Sequence, residues 1–197
     1  SPPPGLIYGG DNYSDAGGAT TMAAEMSGVA VLWVTLFKLN ECLFSTFEFA
    51  EHVNWIFLPA AVRVAAILLF RVRGAVGLFV GGLITARPEF SGSMFDGVLA
   101  AALSALAPLA ALYLASRQLT IAGDLQGMNF GQLAVLVVAG AALSALAHTV
   151  LLSIQDGELE RLWGFSPMFV GDLLGTLIVT YTVYFALRFW CPPPSKN

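Results

Sequence analysis

Five long stretches of this chain, residues 26–49, 53–70, 95–115, 130–154 and 168–190, run almost without charge. A helix needs roughly 20 predominantly apolar residues to cross the hydrocarbon core of a bilayer, and each stretch is of that order. The chain is 57% hydrophobic and only 11% charged, far from the balance of a soluble domain. These features predict an all-α fold, a polytopic membrane helix bundle of about six transmembrane helices. The third of the six, residues 74–86, holds only thirteen uncharged positions. As a helix it would rise about 20 Å, so it is expected to be short, with Arg73 and Arg87 snorkelling outward, or re-entrant.

The chain divides into a polar tail rich in Pro and Gly over residues 1–25, a bundle over 26–191 and a short tail over 192–197. The first tail lacks a basic leader segment and an apolar core, so it does not read as a signal peptide, and alone it is expected to be disordered. Pro192, Pro193 and Pro194 end the last helix, because proline cannot continue the backbone ladder. Between spans, Arg71, Arg73, Arg117, Arg188 and Lys196 fall on one side. On the other, Arg87 and Arg161 stand among Glu48, Glu51, Glu89, Asp96, Asp156, Glu158 and Glu160. Basic residues are retained in the cytoplasm, so both termini are expected inside a bacterial inner membrane. Trp55 and Trp163 would mark the outer boundary and Trp33 and Trp190 the inner one, where indoles prefer to sit.

Against this apolar background Lys38, Glu41, Arg63 and Asp172 stand out. An ionisable residue inside a span needs a partner or a purpose. Counting about 1.5 Å per residue puts Arg63 and Lys38 near the midplane, Glu41 one turn further out and Asp172 within about two turns of the outer face. Lys38 and Glu41 are three apart on one helix and can pair, while Arg63 can reach Asp172 on the last span. Two readings stay open: structural ion pairs that pin helices together, or a polar or proton-linked pocket open to the outside. His148 and the boundary residue Trp55 fall on that outer side and are counted with the group.

The remaining chemistry is sparse. His52 and His148 lie at similar depth and could ligate a haem axially, but their spacing carries no specificity; no cofactor other than lipid is expected. No zinc ligand set, nucleophile triad, phosphate loop or basic nucleic-acid patch is present in the sequence, so catalysis and nucleic-acid binding are not expected. Cys42 falls toward the outer end of the first span and Cys191 at the inner end of the last, which argues against a disulfide. Small residues recur at helical spacing in Gly77 with Gly81, Gly140 with Ser144, Ala141 with Ala145 and Gly171 with Gly175, and close helix packing within the chain is expected there. Pro108 is expected to kink its helix.

Two segments carry a family resemblance. The first is Trp55-Ile56-Phe57-Leu58-Pro59-Ala60-Ala61-Val62-Arg63-Val64-Ala65-Ala66, followed by Arg71-Val72-Arg73-Gly74 and Gly77-Leu78-Phe79-Val80-Gly81. The second is Trp163-Gly164-Phe165-Ser166-Pro167-Met168-Phe169-Val170-Gly171-Asp172-Leu173-Leu174-Gly175. Together they resemble the membrane-associated sensor family that precedes diguanylate cyclases and histidine kinases, over roughly residues 53–187. Two departures stand beside the match: members usually carry more spans than are counted here, and Arg63 stands where many have a small or apolar residue. No output domain is expected after the last helix of this sequence, which leaves open a trimmed piece of a longer chain or a stand-alone relative that works through another protein.

The resemblance therefore implies a non-catalytic sensory bundle that binds a ligand or partner and signals to an effector kinase or cyclase. The alternative is an accessory subunit of a larger membrane assembly, for example an energy-transducing complex. A solute-binding transporter subunit is a weaker third reading.

Overall fold

A computed structural model describes residues 12–50, 53–86, 94–118, 129–156 and 159–190. Among the described residues there are six α-helices: α1 (Asn12–Phe44), α2 (Ala60–Phe70), α3 (Val72–Thr85), α4 (Met94–Gln118), α5 (Phe130–Asp156) and α6 (Phe165–Trp190). Two short strands, β1 (Glu48–Ala50) and β2 (Val53–Asn54), pair antiparallel between α1 and α2. Among the described residues four helices are long and apolar enough to cross a membrane, over Gly18–Phe44, Met94–Arg117, Phe130–Gln155 and Leu162–Trp190. The all-α bundle is as expected, and α3 is the short element anticipated at 74–86.

Three features differ from the sequence expectation. Helix α1 begins at Asn12 rather than Met26, so helix extends into the stretch read as tail. The apolar run over residues 53–70 is not one spanning helix: only its second part is helical, as α2. Eleven residues rise about 16 Å, roughly half of the hydrocarbon thickness. The third feature is Trp33. It is 2% exposed, in the core with Val29, Ile67 and Leu78, and is not a boundary anchor.

Pro59 explains where α2 starts. The residue before a proline is pushed away from helical backbone, and proline suits a helix start because its missing N–H would have no partner there. Residues 55–59 accordingly descend as irregular chain into the bundle. Non-helical backbone at such a place must find partners. The Phe57 amide donates to the Gly171 carbonyl at 3.1 Å and the Leu58 amide to Asn40 Oδ1 at 2.8 Å. Two glycines make room for this chain on α6. A Cβ at Gly175 would strike the Phe57 carbonyl, and one at Gly171 the Asn54 carbonyl.

Helices α2 and α3 form a hairpin around a single residue, Arg71, whose φ of 49° lies in the left-handed region. Its amide donates to the Ile67 carbonyl, ending α2, and its carbonyl accepts from the Ala75 amide, starting α3. The two helices touch closely because Gly74 offers no Cβ against the Ala66 carbonyl. Beyond the hairpin, α3 runs parallel to α1: Arg73 pairs with Glu25 at 3.0 Å, Gly77 faces Val29 and Gly81 faces Trp33. Gly82 faces Ala101 and Gly97 faces Ala86, Ser104 faces His148 and Gly140 faces Ala111, and Thr149 faces Met168 while Ser144 and Asp172 meet at one guanidinium, so α4, α5 and α6 alternate in direction. The alternation gathers Arg71, Arg73, Arg117 and Arg188 toward one end. The glycine spacings read from the sequence thus serve packing within the chain, as Gly77, Gly81, Gly171 and Gly175 show.

Candidate functional site: a six-helix polar cavity

A cavity of about 500 Å³ opens between the helices, reaching from Glu41, Ser45 and Asn54 near the β1–β2 end down to Arg63 and Asp172. Its floor is a buried ion pair. Arg63 Nη1 lies 2.7 Å from Asp172 Oδ2, with side-chain exposures of 7% and 9%. The same nitrogen donates to Ser144 Oγ at 2.5 Å. Ser144 stands near the middle of α5, so one guanidinium ties α2 to both α5 and α6. Among the described residues Arg63 Nε has no hydrogen-bond partner. The guanidinium carbon sits 5.0 Å from the Phe57 ring centre and 5.4 Å from that of Trp33, so aromatic rings flank the cation.

Around this floor each helix adds a polar group. From α1, Trp33 Nε1 donates to Thr85 Oγ1 on α3 at 3.0 Å. On α5, His148 Nδ1 is 2.9 Å from the Ser144 carbonyl, and its Nε2 is 3.2 Å from Ser104 Oγ on α4. A carbonyl only accepts, so Nδ1 carries the hydrogen and, in the neutral ring, Nε2 accepts from the Ser104 hydroxyl. Ser144 therefore joins two sets, its hydroxyl holding Arg63 and its carbonyl holding His148. In α4, Pro108 lacks the N–H that would bond the Ser104 carbonyl, which loosens the ladder beside that contact.

The four charges read from the sequence are not one network. Arg63 and Asp172 pair as expected and line the cavity, and His148 joins them through Ser144. Lys38 and Glu41 also pair, at 2.9 Å, but the Lys38 side chain is 60% exposed and lies off the cavity wall, while Glu41 reaches the wall at its mouth. Trp55 is exposed and does not line the cavity; its backbone packs on Gly171. His52 and Cys191 lie outside the described residues. Cys42 is exposed on α1.

Sequence reasoning missed Trp33, Asn40, Phe57, Thr85, Ser104 and, as a polar ligand, Ser144. One signal was present in the chain. Ala-Ala-Leu-Ser-Ala-Leu-Ala occurs twice, at residues 101–107 and 141–147, followed once by Pro108 and once by His148. The serine of each copy is buried, and the two sit on antiparallel α4 and α5, either side of His148.

A family model decides the identity of this arrangement: MASE1, the membrane-associated sensor domain, matches residues 26–197. The chain belongs to the MASE1 family. It is thus a membrane-embedded sensory domain, in keeping with the resemblance carried by residues 55–81 and 163–175. No curated protein and no solved structure matches it. In this MASE1 domain both resembling segments meet at the cavity floor, since Arg63 comes from the first and Asp172 from the second.

Proposed function

We propose that the bundle receives a small ligand in the cavity and passes the event through α6 to an effector kinase or cyclase. The observation that carries this reading is that the cavity wall takes polar side chains from all six helices and closes on an ion pair whose acid belongs to α6. A ligand shifts a conformational equilibrium only through different contacts with its two states. Here any molecule seated on the floor alters what Arg63 and Ser144 hold, and so how firmly α6 is tied to α2 and α5. In this reading the end where the arginines gather, that of Arg71, and both termini lie in the cytoplasm of a bacterial inner membrane, which the positive-inside rule supports. The mouth at Glu41, Ser45 and Asn54 then faces outward, where an external ligand arrives. Lipid and the effector are the partners this reading requires.

The test uses nitroxide labels at Leu39→Cys on α1 and Leu187→Cys on α6, both exposed positions, with Cys42 and Cys191 replaced by serine. Distances are measured in nanodiscs with and without Asp172→Asn. The sensor reading expects Asp172→Asn to shift or broaden the distance distribution in a folded protein. An unchanged single distribution would sink it, leaving a rigid structural subunit.

A further inference from the structure

We infer that the ligand of this cavity is an uncharged amphipathic molecule, with one flat apolar face and a hydroxyl, carbonyl or amide edge. The inference rests on the ligand-binding reading above and adds the chemical class.

The argument begins with charge. Each ionisable side chain on the wall already has a partner of its own. Arg63 and Asp172 hold each other at 2.7 Å, and Glu41 is held by Lys38 at 2.9 Å. His148 has a carbonyl acceptor on Nδ1 and a hydroxyl on Nε2, so the neutral ring is satisfied. On the floor the Arg63 charge is already balanced by Asp172, so an added anion or cation either brings an uncompensated charge into the buried site or draws one member of the pair from the other. Removing one member of a buried pair strands the other without a counter-charge, which is strongly unfavourable. An uncharged ligand can share or compete for the hydrogen bonds of Arg63 and Ser144, and so alter how they are held, without stranding either charge.

Shape supplies the rest. Trp33, Phe37 and Phe57 form one wall, joined edge to face with ring centres 6.0 Å apart for Trp33 and Phe57 and 6.3 Å for Phe37 and Phe57. The hydroxyls of Ser104 and Ser144, beside His148, also line the cavity. A volume of about 500 Å³ falls within the range of small-molecule sites, which combine apolar walls with a few oriented polar groups. A flat ring or ring-like face suits the aromatic residues of the lining, and an oxygen- or amide-bearing edge suits its hydroxyls and imidazole.

The experiment titrates the full chain in nanodiscs with three probes sharing one ring: tryptophol, which is uncharged, tryptamine, a cation, and indole-3-acetate, an anion. Isothermal titration is run on the wild type, on Ala100→Phe, which fills the half-buried wall, and on Asp172→Asn. We expect saturable tryptophol binding, both ions at least about tenfold weaker, corresponding to about 1.4 kcal/mol. Ala100→Phe should abolish tryptophol binding. Asp172→Asn, which leaves Arg63 without its counter-charge, should move the preference toward indole-3-acetate. The inference is overturned if either ion binds as tightly as tryptophol, if Ala100→Phe binds tryptophol unchanged, or if tryptophol does not saturate. The two readings separate cleanly. An ion that wins while the α1–α6 distance still responds to Asp172→Asn removes the ligand class and keeps the sensor; an unresponsive distance removes the sensor itself.

Discussion

Two ion pairs of similar length sit on this bundle in opposite settings. Lys38 and Glu41, 2.9 Å apart, lie three residues apart along α1, with the lysine mostly exposed. Arg63 and Asp172, 2.7 Å apart, are separated by 109 positions in the chain, are buried, and join α2 to α6. Length alone would rank them as equals. What separates them is what each pair holds together and how far its charges have left water. The first pair holds a helix to itself, which the backbone already does. The second holds α6 to α2, the helix that follows the irregular chain at residues 55–59, so its loss frees a charge and a helix contact together.

Three substitutions test that contrast, from the largest effect downward. Asp172→Ala should destabilise the bundle by about 3–5 kcal/mol, as breaking one side of a buried pair does. The readout is unfolding by steric trapping in bicelles. If the paired apolar replacement Arg63→Met with Asp172→Leu recovers most of that loss, the cost lies in the stranded charge rather than in the pair itself. A loss below 1 kcal/mol for the single change would erase the contrast.

Ser144→Ala should cost about 1–3 kcal/mol in the same assay, because it takes one acceptor from the buried Arg63 guanidinium. Its backbone carbonyl stays, so the His148 contact should survive; nitrogen chemical shifts of the His148 ring check this, and a changed tautomer would show that the hydroxyl also governs the histidine. Lys38→Ala is expected to change stability by only about 0.2–1 kcal/mol, an effect that fades in 1 M salt as screening shortens to about 3 Å. A larger, salt-insensitive loss would place Lys38 on the same footing as Arg63.

How far the sequence reached can be judged residue by residue. The Arg63–Asp172 pairing was legible because a charge in an apolar run has few possible partners. Trp33 was misplaced because depth was counted from a helix start at Met26; with α1 beginning at Asn12, the same residue lies well inside the helix. The split of residues 53–70 was hidden because a continuous apolar run looks alike whether it is buried helix or buried extended chain. Pro59 was the available warning, and Gly171 and Gly175 were the matching room on α6. Asn40, Thr85 and Ser104 gave no individual signal, since single uncharged polar residues are common in membrane helices.

The sequence by itself determined that this chain belongs in a membrane, how its long helices fall, and that Arg63 must find an acid. Those outcomes follow from transfer energetics, which act on each segment separately. Only the tertiary structure decided that Trp33 and Phe57 cover the guanidinium, that Ser144 links Arg63 to His148, and that Lys38 stays outside. Such choices depend on which faces of six helices meet, and a spacing along one helix carries no record of the neighbour it will find.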